Sequence, residues 1–194
     1  DAEMEIARCY DGFVERWQRY ESLRTDAPRS FTEATAFGLL SSAVGRGSHI
    51  ALSTGNLYPT LWTILMADTT VYRKSTALDH GGDVLLQAQA GQRGPDESSP
   101  QRLVSFMKEH EGKAVYLIRD ELGGTLSQWK RLDHQAGVLQ MLIGFHDARY
   151  YRKELQGDRV KVSAKDEPAR FERRAEVVEI NKPFLSILAG AQPT

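Results

Sequence analysis

Two nearly continuous apolar runs, residues 61–67 (LWTILMA) and 114–118 (AVYLI), stand out along the chain. Unbroken apolar sequence of this length marks a strand buried on both faces of a parallel sheet. Elsewhere the spacing is helical. Ile6, Tyr10, Phe13, Trp17 and Tyr20 share one face of a helix within residues 2–24. Ala36, Leu39, Leu40, Ala43 and Val44 predict a second helix that opens near Phe31, takes Thr32 as its cap and ends at Gly45 and Gly47. Residues 49–53 read as a short strand and Gly55-Asn56 as a turn, while Pro59 delays the first long strand until after it.

Beyond that strand a helix starts at Lys74, carries Leu78 and weakens at Gly81-Gly82; residues 84–90 fit helix or strand equally. Residues 91–100 form the clearest loop, and Ser99-Pro100 supplies a cap and a first-turn proline to a helix through Leu103, Val104, Phe106 and Met107. Gly123-Gly124 lets the chain turn away from the second strand, and Ala136, Leu139, Leu142 and Ile143 mark another helix. Gln156-Gly157-Asp158 is placed as a hairpin turn between residues 150–155 and 159–162. Residues 165–174 read as a polar loop or solvated helix, and residues 176–180 and 184–189 as closing strands. Strands alternating with helices predict an α/β fold with a mainly parallel sheet. The expected division is an N-terminal helical segment, 1–47, packed on a core, 48–194, that is incomplete at its C-terminal end.

Composition narrows the classes of function. With 194 residues the chain is long enough for one α/β domain without staples, and a net charge of −1 provides no global pull toward nucleic acid or an anionic membrane. The single cysteine, Cys9, excludes an internal disulfide, and five dispersed histidines do not form a zinc pattern. No apolar stretch approaches a membrane span, and the first residues are acidic rather than signal-like, so the expected location is cytoplasmic.

The chemistry lies at the ends of the two apolar runs. Lys74-Ser75-Thr76 follows the first across the six residues Asp68, Thr69, Thr70, Val71, Tyr72 and Arg73, and Asp120-Glu121 closes the second. A lysine and hydroxyl opening a helix, with acids at a second strand tip, are the parts of a nucleoside triphosphate site. Lys74 would meet the terminal phosphates, Ser75 would ligate Mg²⁺, and Asp120 would hold the metal through water. Glu121 would orient or deprotonate the attacking water. Asp68 and Arg73 occupy the positions where G-x-x-x-x-G-K-[ST] has its glycines. β-Branched Thr69, Thr70 and Val71 also resist left-handed backbone, which makes a nest of inward N–H groups harder to form. The Arg73 guanidinium offers phosphate contacts in exchange. Gln192, after the last apolar strand, is a candidate sensor of the γ-phosphate. The basic group Arg149, Arg152, Lys153, Arg159 and Lys161 fits either a nucleic-acid backbone or a solvated face.

The succession Pro28-Arg29-Ser30-Phe31, Tyr58-Pro59, Tyr72-Arg73-Lys74-Ser75-Thr76-Ala77-Leu78, Ser99-Pro100, Arg119-Asp120-Glu121-Leu122-Gly123-Gly124 and Pro183-Phe184-Leu185-Ser186-Ile187-Leu188 resembles RecA-like P-loop ATPases of phage, plasmid and integrated-element replication proteins, of the primase/helicase type. The resemblance implies an ATP- and Mg²⁺-dependent helicase or translocase core, assembled as a homo-oligomeric ring on single- or double-stranded DNA. It assigns Lys74 and Glu121 to catalysis, Asp68, Thr69, Thr70, Arg73, Lys74, Ser75, Thr76 and Gln192 to the nucleotide, and Ser75 and Asp120 to the metal. The competing expectation is a catalytically impaired nucleotide-binding or scaffold module serving assembly or DNA attachment.

Overall fold

The computed structural model describes residues 12–68, 72–96, 99–132, 137–162 and 170–193, with backbone alone at 130–132, 155–162 and 170–176. Helices are Phe13–Ser22 (α1), Arg29–Val44 (α2), Lys74–Gln87 (α3), Pro100–Glu109 (α4), Leu122–Leu132 (α5) and Gly137–His146 (α6). Strands are Ile50–Leu52 (β1), Gly55–Leu57 (β2), Trp62–Met66 (β3), Gln92–Arg93 (β4), Val115–Arg119 (β5), Tyr151–Val162 (β6), Arg170–Ile180 (β7) and Leu185–Ala191 (β8).

The fold is α/β. Four strands form a parallel sheet in the order β3-β8-β5-β4, and β1-β2 and β6-β7 are separate antiparallel pairs. From β3 the chain crosses to the far edge at β4 and then steps back through β5 to β8. Right-handed crossovers running in opposite directions place their helices on opposite faces. One face packs Leu65, Tyr116 and Leu188 against Trp17 of α1, Ala36 and Leu39 of α2, and Ala77, Leu78 and Leu85 of α3. The other packs Val115, Leu117, Leu185, Ile187 and Ala189 against Leu103 and Met107 of α4, Trp129 of α5, Met141 and Phe145 of α6, and Ile180 of β7. α2 is bound to the sheet by polar contacts as well: Ser41 Oγ lies 2.7 Å from Ser186 Oγ and accepts from the Leu61 N–H at 3.0 Å.

Several elements depart from the sequence expectation. α2 begins at Arg29, two residues ahead of Phe31, and Thr32 is a buried residue of its first turn rather than its cap. α3 runs unbroken through Gly81-Gly82. A Cβ at Gly81 would come within 2.7 Å of Thr35 Cγ2, and one at Gly82 within 2.7 Å of Ile118 Cδ1, so these glycines let the helix approach α2 and the sheet closely. The expected loop 91–100 contains β4, and Gly123-Gly124 lies inside α5. Gln156 to Arg159 is a bulge within a long strand, and residues 170–174, expected as loop or helix, belong to β7. β3 is an edge strand. Leu65 is buried, but Ile64 and Met66 are 44% and 62% exposed, so the second face of the run is covered only near Trp62. The cap at Ser99 is where the sequence indicates it, with Oγ accepting from the Arg102 N–H and Pro100 in the first turn. Among the described residues no helix is long and apolar enough to cross a membrane.

Candidate functional site

The sheet register aligns the tips of three strands. Ile64 of β3 and Arg119 of β5 both pair with Ala189 of β8, so Ala67-Asp68, Asp120-Glu121 and Gly190-Ala191-Gln192 leave the sheet at one edge, the C-terminal end of all three strands. The two motif strands are therefore not neighbours. β8 separates them, which puts their axes about 10 Å apart, and the gap is closed by side chains. A cleft of about 470 Å³ at this edge is lined by Asp68, Arg73, Lys74, Ser75, Thr76, Asp120, Glu121 and Gln192. Clefts of similar volume lie between α1 and α2, beside the β1-β2 hairpin and around Gly45 and Gly91, the last lined by Lys113, but none of the three is lined by both a lysine and a carboxylate.

Lys74, the first residue of α3, is only 8% exposed. Its stem lies across the tip of β8, and Nζ donates to the main-chain oxygens of Ala67 at 3.1 Å and Ala191 at 2.8 Å. The ammonium thus joins the ends of β3 and β8. Its approach depends on Gly190, where a Cβ would stand 2.5 Å from Asp120 O and 3.2 Å from Lys74 Cδ and Cε. Gly190 was not among the sequence candidates. A lone glycine inside an apolar strand is nonetheless the sequence mark of a close backbone approach.

Ser75 supplies the second junction. Its hydroxyl donates to Asp120 Oδ2 at 2.8 Å, linking the start of α3 to the end of β5 across 45 positions of sequence. A serine hydroxyl has one proton and two lone pairs. With the proton on Asp120, the lone pairs of Ser75 and the remaining acceptor capacity of the carboxylate are left to a cation and its water. Mg²⁺ in phosphate sites typically takes one or two protein oxygens and completes its shell with water and phosphate. The pair fits that demand, although among the described residues no group of three or more His, Cys, Asp or Glu is placed to hold a metal.

Arg73 caps α3 with φ 50° and ψ 36°, a left-handed conformation, and Lys74 continues directly into helix. This alternation is the backbone form of an anion-binding nest, reached here without glycine. It also aims the positive end of α3 into the cleft. The Arg73 side chain is turned outward, with Nε 3.1 Å from Asp26 Oδ1 in the α1–α2 linker. Asp68, Glu121 and Gln192 are exposed at the cleft, Thr76 is half-buried beside it, and Thr69, Thr70 and Val71 lie outside the described residues. Asp79, one turn beyond Ser75, is a further acid not singled out in the sequence. Burial, then the charges of Asp120 and Asp83, push its carboxyl above the ordinary value, against opposing contributions from His80 and Arg93.

Compared with models of known families, with curated proteins and with solved structures, the chain matches none.

Proposed function

We propose that this chain binds a Mg²⁺–nucleoside triphosphate, ATP by the resemblance of its motifs, and hydrolyses it as a RecA-like core of a DNA helicase or translocase. The observation that carries the proposal is the Ser75–Asp120 hydrogen bond at 2.8 Å, formed beside Lys74 at one edge of a parallel sheet. Ligands of open α/β sheets bind outside the carboxyl ends of the strands. In this reading Lys74 and the α3 N–H groups hold the phosphates. Ser75 and Asp120 hold Mg²⁺, which supplies neutralisation of phosphate charge when bound. Glu121 takes the proton as the water oxygen bonds to the γ-phosphorus and the bond to the bridging oxygen breaks. Gln192 contacts the γ-phosphate.

Two observations favour a second reading, nucleotide binding without turnover in a scaffold module. The Arg73 guanidinium lies on Asp26, and Lys74 Nζ is already engaged by two carbonyls. Thermal shift with Mg²⁺–ATP, together with phosphate release with and without single-stranded DNA, separates the two. The parent is expected to gain stability and turn over. Lys74→Ala loses both, and Glu121→Gln keeps the shift but not the turnover. A shift without turnover in the parent selects the scaffold reading. Equal background rates in all three proteins, with no shift from any nucleotide, overturn the proposed site.

A further inference from the structure

β6 and β7 form a two-stranded ribbon apart from the parallel sheet; its inner half, at Tyr151 and Ile180, packs on the core, and its outer half lies beyond the bulge at Gln156–Arg159. On β7, Val178 and Ile180 are buried in the core, whereas Val177 is 45% exposed. Side chains alternate along a strand, and cross-strand partners share a face. The register face of β7 opposite to that of Val178 and Ile180 therefore runs Glu179, Val177, Ala175, Arg173, Phe171, paired with Arg152, Glu154, Gln156, Arg159 and Lys161 of β6. Near the base this face is balanced, with Arg152 Nε 3.4 Å from Glu179 Oε1. Farther out, the register positions hold Arg159 opposite Arg173 and Lys161 opposite Phe171, with no acid among them.

The bulge produces this arrangement. Without the extra residue between Gln156 and Arg159, Asp158 and Val160 would oppose Arg173 and Phe171; with it, Arg159 and Lys161 do. Bulges re-aim the residues that follow them. Here the result is a pair of like charges directly opposite each other, an arrangement that weakens a two-stranded ribbon. A polyanion laid along the face removes that repulsion. Cations interleaved with an aromatic are the elements of a sequence-tolerant single-strand platform, in which Arg and Lys meet phosphates and the ring stacks on a base.

We propose that the outer half of the β6-β7 ribbon is a single-stranded nucleic-acid binding face built from Arg159, Lys161, Phe171 and Arg173. It rests on the ribbon register and not on the nucleotide site, so it is tested on the full chain without nucleotide.

The measurement is fluorescence anisotropy of a labelled oligothymidylate of about 20 nucleotides, longer than a single binding site. Two charge-matched double variants are compared, Arg159→Gln with Arg173→Gln on this face and Arg170→Gln with Arg174→Gln on the other. The first pair is expected to flatten the salt dependence by about 1.4 in log–log slope, so that the parent loses about sevenfold more affinity than this variant between about 50 and 200 mM salt. The second pair leaves the slope near that of the parent. Phe171→Ala weakens binding with the slope unchanged, which a purely electrostatic contact would not show. No binding by the parent, equal losses in the two double variants, or equal affinity for a duplex of the same length would each overturn the proposal. Far-UV circular dichroism confirms that each variant compared is folded.

Discussion

β3 and β8 lie side by side, are written in nearly the same apolar residues, and differ completely in cover. Residues 185–190 of β8 are all buried, while β3 shows one face to its helices and leaves Ile64 and Met66 open. An unbroken apolar run states that a strand can be buried on both sides. Its position in the sheet decides whether it is. The same contrast holds at the tips. The end of β8 is so tightly occupied that only glycine fits at position 190, whereas the helix after β3 is capped by a strained, non-glycine residue, Arg73.

The sharpest test of the contrast is a matched pair of truncations. Ile187→Ala, at 3% exposure, is expected to cost about 2–5 kcal/mol. Ile64→Ala, on the open face of β3, should stay within about 1 kcal/mol of the parent. Urea denaturation of both measures the difference, and similar losses would place β3 inside the sheet rather than at its edge.

Gly190→Ala comes next. The added methyl collides with Asp120 O and the Lys74 stem, a forced contact worth about 1–3 kcal/mol. It should also remove most of the stabilisation that Mg²⁺–ATP gives the parent, a loss that destabilisation alone does not produce. The reading is a melting curve with and without nucleotide.

At the cap of α3, Arg73→Gly should be near neutral, because relief of left-handed strain is offset by the entropy of an added glycine and by loss of an exposed ion pair. Arg73→Val, β-branched at the same positive φ, should cost about 1–2 kcal/mol. Equal stability of the two variants would contradict the observed conformation.

The smallest effect is at Asp79. Its raised pKa means that the folded state holds the proton more tightly than the unfolded state. The stability this adds is full below the ordinary carboxylate value of about 3.9 and is lost as pH rises through the folded value. Asn cannot ionise, so Asp79→Asn should melt above the parent at neutral pH and converge with it near pH 3. A constant offset across that range would remove burial and the Asp120 repulsion as the cause.

The residues of the cleft were legible one by one. Lys74, Ser75, Asp120, Glu121 and Gln192 each follow an apolar run or open a helix, and those are local patterns. Their joining was not, since the strand between the motif strands comes from the end of the chain. The bulge at Gln156–Arg159 reads locally as a turn because a Gln-Gly-Asp triplet satisfies turn chemistry, and only pairing with β7 shows the strand continuing. β4 escaped notice because two residues, Gln92 and Arg93, carry no periodicity at all.

By itself the sequence determined the α/β class, the buried runs, the Ser99 cap and the chemical identity of the groups at the strand ends, because hydrophobic period and capping act over a few residues. Tertiary structure alone decided the strand order, the exposure of β3, the fit of Gly190 under Lys74 and the 2.8 Å bond from Ser75 to Asp120. Those depend on which distant segments pack together. Local pattern does not specify that choice, because strands of similar composition can pair in more than one order at similar local energy.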